Sequence, residues 1–186
     1  MRQKERGNKL PRKNLIFLAS GRKKIGLFLA CAVLLVVLDQ LSKLWISPPN
    51  PHQIEVLPGF INFVYSINYG AVFGLPVNQT FIITVTIAVL IIIIFLFLRY
   101  LSLATTLITI SLGLIFGGAT GNLIDRLRFG FVTDFIDMHL NNFLRWPWAF
   151  NFADAAIVIG TLTLAYSLVR LELSGRECDH NCKVKN

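Results

Sequence analysis

IGLFLACAVLLVVLDQLSKLWI, residues 25–46, decides how this chain is read. Its uninterrupted apolar run, 25–38, is shorter than the roughly 20 residues a spanning helix needs, and the stretch is long enough only if Asp39 enters the bilayer with it. WAFNFADAAIVIGTLTLAYSLV, residues 148–169, poses the same problem from the other end: the run 155–169 falls short unless Asp154 is included. An ionisable group at such depth costs several kcal/mol and reads as functional.

Working outward, residues 81–98 and 101–124 are uncharged and long enough to span, which makes four candidate transmembrane helices. Composition agrees. With 54% hydrophobic residues, 15% charged and a mean hydropathy of +0.62, this is a small α-helical membrane protein of one domain rather than a soluble one. The net charge of +8 is no nucleic-acid footprint, because the basic residues gather at the ends. Arg2, Lys4, Arg6, Lys9, Arg12, Lys13, Arg22, Lys23 and Lys24 precede the first helix, and Arg170, Arg176, Lys183 and Lys185 end or follow the last. Both termini are therefore expected in the cytoplasm. Residues 47–80 lack Lys and Arg, and Arg99 marks the turn between the second and third helices, so every segment fits an in-out-in-out-in path. The expected divisions are a basic N-terminal extension over 1–24, a membrane domain over 25–171 and a cytoplasmic tail over 172–186. A cleaved signal peptide is the rival for the first helix; no small-residue cleavage site follows Leu38, so an uncleaved anchor is expected. Cys31 reads as a small buried apolar residue. Cys178, His180 and Cys182 are too loosely spaced to argue for a metal and read as reduced thiols in a flexible tail.

At 1.5 Å per residue, Asp39 and Asp154 each lie roughly 20 Å from the cytoplasmic end of their helices, at one level in the outer half of the membrane. The third helix adds Asn122, Asp125 and Arg126 at that level, and Lys43 stands one turn beyond Asp39. Asp39 with Lys43 and Asp125 with Arg126 read either as register-locking ion pairs or as chemistry. Asp154 has no basic residue within a turn, so its partner must come from elsewhere in the fold, or it must be protonated. Gly113, Gly117 and Gly121 recur every four residues, with Gly118 between, and read as a close-packing face. Gly118 and Gly121 also suggest room for a substrate chain beside Asn122.

Between helices 1 and 2, residues 53–57 and 60–67 flank Pro58-Gly59 and read as a hairpin, a small extracytoplasmic β-sheet against the membrane surface. Residues 127–149 are rich in aromatics, Phe129, Phe131, Phe135, Phe143, Trp146 and Trp148 among them, which suits an interfacial belt. The same segment carries Asp134 and Asp137, expected to hang above Asp154, and His139, which reads as a surface histidine.

Two carboxylates close enough to share a proton are the machinery of aspartic proteolysis. No His-Glu-x-x-His or Gly-x-Ser-x-Gly motif competes, and the nearest Ser/Lys pair is Lys43 with a loop serine such as Ser66. Spacing leaves open which two of Asp39, Asp125, Asp134, Asp137 and Asp154 form the dyad. A small proton- or cation-coupled transporter is the rival class. Four helices are few for that, no internal repeat is evident, and the polar residues stop in the outer half.

Asp39-Gln40-Leu41-Ser42-Lys43, Asn68-Tyr69-Gly70-Ala71-Val72-Phe73-Gly74, Gly117-Gly118-Ala119-Thr120-Gly121-Asn122-Leu123-Ile124-Asp125-Arg126, Val132-Thr133-Asp134-Phe135 and Phe150-Asn151-Phe152-Ala153-Asp154 follow one another along the chain. In that order they resemble the blocks of bacterial lipoprotein signal peptidase (signal peptidase II). The resemblance implies an intramembrane aspartic endopeptidase that removes the signal peptide of diacylglyceryl-modified prolipoproteins immediately before the lipidated cysteine. It implies Asp134 and Asp154 as the catalytic dyad and Asn68, Gly70, Gly118, Asn122, Arg126 and Asn151 as site-lining residues. Asp39, Lys43 and Asp125 resemble positions that orient the site or hold its shape. Prolipoproteins and membrane lipids are the implied partners. The expectation is a multi-pass monomer of the bacterial cytoplasmic membrane with its site near the extracytoplasmic face and no metal or organic cofactor.

Overall fold

The computed structural model describes the backbone of residues 12–48, 54–70, 77–140, 144–145 and 148–184. Four helices, α1 (Arg12–Ile46), α2 (Gln79–Arg99), α3 (Thr106–Phe129) and α4 (Phe152–Val184), carry membrane-length apolar spans at Ser20–Ile46, Gln79–Arg99, Thr106–Phe129 and Phe152–Ser174. Most of their large apolar side chains point outward, as helices surrounded by lipid require. The third span starts and ends later than its hydropathy suggests. Thr105 caps it by accepting from Ile108 N at 3.2 Å, and Gly130, at φ 76°, closes it in the left-handed conformation glycine favours. That shift brings Asn122, Asp125 and Arg126 inside the helix instead of at its edge. The segment with Cys178, His180 and Cys182, expected as a flexible tail, has helical backbone continuous with α4. Residues 1–11, residues 71–74 of the second sequence block, and Phe143 and Trp146 lie outside the described residues.

The hairpin forms as β1 (Ile54–Leu57) and β2 (Ile61–Asn68). Pro58 and Gly59 make its turn: Phe60 N donates to Leu57 O at 2.9 Å, and Gly59 at φ 74° takes the position that demands positive φ. The sheet is larger than expected. β3 (Val132–Leu140), from the aromatic segment between α3 and α4, pairs antiparallel with β2, Ser66 standing opposite Asp134, and the two-residue β4 (Leu144–Arg145) pairs with the end of β3. All strands lie at the end of the bundle where α1 and α3 finish and α2 and α4 begin, here the sheet end. The α2–α3 turn lies at the other, the turn end.

α3 is the spine. A Cβ on Gly113 would stand 3.0 Å from Phe28 O, one on Gly117 2.8 Å from Ala32 O, and one on Gly118 2.5 Å from Ala153 O, so the missing side chains let α1 and α4 press against α3 from two directions. Gly160 of α4 returns the contact, 2.9 Å from Ser111 O by the same measure. At the turn end Phe28, Phe97, Ala104 and Ile108 form an apolar core, with the Phe28 and Phe97 rings stacked 4.6 Å apart. Lys24 Nζ donates to Leu101 O at 3.0 Å and Ser102 O at 3.3 Å, holding the carbonyls of the turn.

Candidate active site

Asn immediately before an apolar helical run is a favoured N-cap, and Asn151 takes that place on α4. Its Oδ1 accepts from Asp154 N at 2.9 Å while Asp154 Oδ2 accepts from Asn151 N at 3.2 Å, a reciprocal capping box. Asp154 is therefore pinned to the first turn of its helix. The preceding residue is pinned to the sheet. Ile136 N donates to Phe150 O at 2.7 Å and Phe150 N to Ile136 O at 3.1 Å, so the start of α4 is fastened to β3 two residues beyond Asp134.

The fully buried Asn151 side chain completes the link, its Nδ2 donating to Asp134 Oδ1 at 2.7 Å and lying 3.2 Å from Asn122 Oδ1 and 3.3 Å from Thr133 O. One asparagine thus serves both carboxylates, its side-chain amide to Asp134 and its backbone amide to Asp154. Each aspartate has a second donor. Asn68 Nδ2 reaches Asp134 Oδ2 at 3.0 Å, and Asn122 Nδ2 reaches Asp154 Oδ1 at 2.8 Å. Gly70 N, donating to Asn68 Oδ1 at 2.9 Å, fixes which way round that amide faces. Arg126 Nη2 donates to Gly70 O at 3.3 Å, the guanidinium lies within electrostatic reach of Asp154 and Asp134, and its buried Nε has no partner among the described residues.

Burial of Asp134 disfavours its charged form, and the neighbouring charge of Asp154 adds to that; together they outweigh the two amide donors and push its carboxyl up to about 7 from an ordinary 3.8. A carboxyl that keeps its proton near neutral pH beside a second carboxyl suits general acid–base hydrolysis. Asp137 does not join them. The two-residue period of a strand sends it to the face of β3 opposite Asp134, where it is buried.

Behind this site the expected ion pairs are half right. Lys43 Nζ lies 2.7 Å from Asp39 Oδ2, as the i, i+4 spacing suggests. Asp125 pairs with Lys43 as well, at 3.0 Å, and not with Arg126. Successive residues on a helix point about 100° apart, so Asp125 faces α1 while Arg126 turns toward Gly70. Lys43 also donates to Asn122 Oδ1 at 3.0 Å, and Asp39 Oδ1 accepts from Ala153 N at 3.1 Å. The room expected beside Gly118 and Gly121 is taken: Ala153 O and Ile157 fill the first, Asp39 Oδ2 the second.

Two participants escaped the sequence reading. Gln40 Nε2 donates to Asp125 Oδ1 at 2.8 Å and Gly121 O at 3.2 Å, and Thr133 N donates to Asp125 Oδ2 at 3.3 Å. Gln40 stood inside the first block as a polar residue at membrane depth, a usable signal. Thr133 acts through its backbone and leaves none.

The family model described as signal peptidase (SPase) II matches residues 31–170. Over 145 residues the chain is 44% identical to the lipoprotein signal peptidase of Moorella thermoacetica, covering 76% of this chain and 92% of that protein. Over 151 residues it is 39% identical to the lipoprotein signal peptidase of Streptococcus agalactiae, covering 80% and 94%. Two solved structures, described as bacterial membrane enzymes obtained by the in meso method at 2.3 and 1.9 Å resolution, are also similar. The first has a TM-score of 0.69 at 32% identity, covering 78% of this chain and 89% of that one. The second has a TM-score of 0.67 at 33% identity, covering 77% and 93%.

Proposed function

The chain belongs to the signal peptidase II family of membrane peptidases, and from that premise we propose that it is an aspartic endopeptidase acting on lipid-modified precursors. Its substrates are diacylglyceryl-modified prolipoproteins, cut immediately before the lipidated cysteine. Asp134 and Asp154 are the catalytic pair, and the observation that carries this reading is their common attachment to Asn151, which supports two carboxyls near enough to share one proton.

In the resting enzyme Asp134 holds that proton and Asp154 is the base. Asp154 takes a proton from water as the water oxygen attacks the scissile carbonyl, while Asp134 protonates the carbonyl oxygen. The gem-diol then collapses. The C–N bond breaks, Asp154 delivers its proton to the leaving cysteine nitrogen, and Asp134 recovers its own from the diol hydroxyl. Arg126 and Asn68, at the edge of the pair, orient the peptide. The substrate's signal helix and acyl chains stay in lipid, which presents the scissile bond at the depth of the dyad. The basic residues near both termini support a cytoplasmic turn end and an extracytoplasmic sheet end.

The test is cleavage of a fluorescent diacylated lipopeptide by the full chain reconstituted in lipid, with product masses locating the cut. Asp134→Asn and Asp154→Asn should each lower kcat by about 10³-fold or more while inserting and melting as folded proteins. Full activity in either variant removes the dyad. Ion flux without cleavage by the unmodified chain makes it a transporter.

A further inference from the structure

Two side chains grip consecutive carbonyls of the segment that ends β2, and each keeps one buried polar atom unused. Gln79, the first residue of α2, donates from Nε2 to Tyr69 O at 2.8 Å. Arg126, on α3, donates from Nη2 to Gly70 O at 3.3 Å. Among the described residues nothing donates to the buried Oε1 of Gln79, and nothing accepts from the buried Nε of Arg126. Turning the Gln79 amide round does not help, because Oε1 would then face Tyr69 O, acceptor against acceptor. The backbone that both side chains hold follows directly on Asn68, whose amide bonds Asp134 Oδ2 at 3.0 Å. A donor and an acceptor, both unmet, thus flank a segment that leads into the dyad.

We propose that Gln79, which lies outside all five sequence blocks, binds the substrate: its Oε1 accepts a backbone N–H of the precursor, beside a precursor carbonyl taken by Arg126 Nε. The proposal rests on the peptidase reading and adds to it one residue and the part of the substrate that residue recognises. A buried acceptor left unmade has lost its bond to water and gained no other, and an arriving ligand is what restores it. Glutamine is long and flexible, and Gln79 is only half-buried, so the amide has a route to the surface. The bond to Tyr69 O keeps it turned inward instead. The chemistry of the substrate decides which part of it fits. The diacylglyceryl group offers a thioether and ester linkages, all acceptors, and cannot serve Oε1. An extended peptide carries an N–H and a carbonyl on each residue, so its backbone can serve both atoms. A contact to main chain also suits a peptidase with many precursors, since all of them present it. The rival occupant is an ordered water, which can donate to Oε1 and accept from Nε.

The test pairs a change in the enzyme with a change in the substrate, using lipid-reconstituted full chain. Gln79→Met removes the acceptor, and the fluorescent lipopeptide carries an N-methyl group on one backbone amide at a time near the cut, the scissile amide excepted. Gln79→Met should raise KM by about 3- to 10-fold, the worth of one hydrogen bond, with kcat held within about twofold. At one position the N-methyl group should lower kcat/KM of the unmodified chain by about the same factor or more. The same group should cost Gln79→Met less than about twofold, because the partner of that N–H is already gone. Gln79→Glu keeps an acceptor but no donor for Tyr69 O, and it should stay sensitive to that N-methyl group. N-methyl costs that match between the unmodified chain and Gln79→Met at every position overturn the proposal and assign Oε1 to a water. A fall in kcat with unchanged KM also overturns it and leaves Gln79 as a fastener of Tyr69 alone. Asp134→Asn is run alongside: its activity would sink the dyad, whereas matching N-methyl costs with Asp134→Asn inactive sink only the role of Gln79.

Discussion

At the turn end of the bundle Phe28, Phe97, Ala104 and Ile108 meet with no charged side chain among them, whereas at the sheet end α1 and α3 together bury Asp39, Lys43, Asn122 and Asp125. The glycine row on α3 serves both. Gly113 and Gly117 admit backbone and Cβ atoms of α1; Gly121, one turn further along, admits a carboxylate. Apolar packing in lipid gains only dispersion contacts, and close approach is enough for it. A charge cluster needs defined geometry, and this one accepts from Ala153 N and Thr133 N, the amides just ahead of the two proposed catalytic aspartates.

Alanine at two of these glycines should break that contrast or sharpen it. At Gly121 the new Cβ would lie 2.6 Å from Asp39 Oδ2 and push that carboxylate off Ala153 N, so Gly121→Ala should lower kcat by about tenfold or more. At Gly113 it would meet Cys31 Cβ at 2.9 Å and Phe28 O at 3.0 Å, an overpacking worth about 1–3 kcal/mol of stability with kcat per folded molecule held. Equal effects of the two alanines on kcat, measured in the lipopeptide assay, would erase the division between the ends.

The second measurement is a pH profile. Asp134 keeps its proton up to about 7 when folded but only to its ordinary 3.8 when unfolded, so folding takes up a proton between those values. Stability from this group is full below 3.8 and is lost as pH rises to about 7. Asparagine mimics the protonated acid, so the Tm advantage of Asp134→Asn over the unmodified chain should grow across that window and level off above it. Activity should fall above pH 7 by about tenfold per unit as the shared proton leaves. A flat profile to pH 9 would deny Asp134 the proton.

The smallest effect belongs to the turn end. Phe97→Ala removes a ring stacked 4.6 Å from Phe28 and should cost about 1–2 kcal/mol, the packing share alone, because lipid tails refill the apolar surface. Thermal melts and kcat on the same preparation check it; a tenfold loss of kcat would mean that the two ends are coupled.

The four spans and the Pro58-Gly59 hairpin were legible because length, hydropathy and turn chemistry are local properties. β3 was not. Every residue from Val132 to Asp137 is buried, so both faces of the strand are covered and the alternation that betrays a strand is missing; its phenylalanines imitate an interfacial belt instead. The start of α4 was misjudged for a related reason: Trp148 and Phe150 are as apolar as the helix, and only Asn151 marks the boundary. The acids at matched depth could be picked out by counting residues, but their partners could not. Asp125 sits beside Arg126 in sequence and bonds Lys43 on another helix.

Asp154 is at once a proposed proton carrier and half of the clasp that begins its helix. Truncating it to alanine would silence the enzyme and fray the helix together, and the two faults would look alike on a gel. Asparagine, which can still receive the Asn151 amide, separates them, so at this position the choice of substituent decides whether an inactive variant reports on catalysis or on architecture.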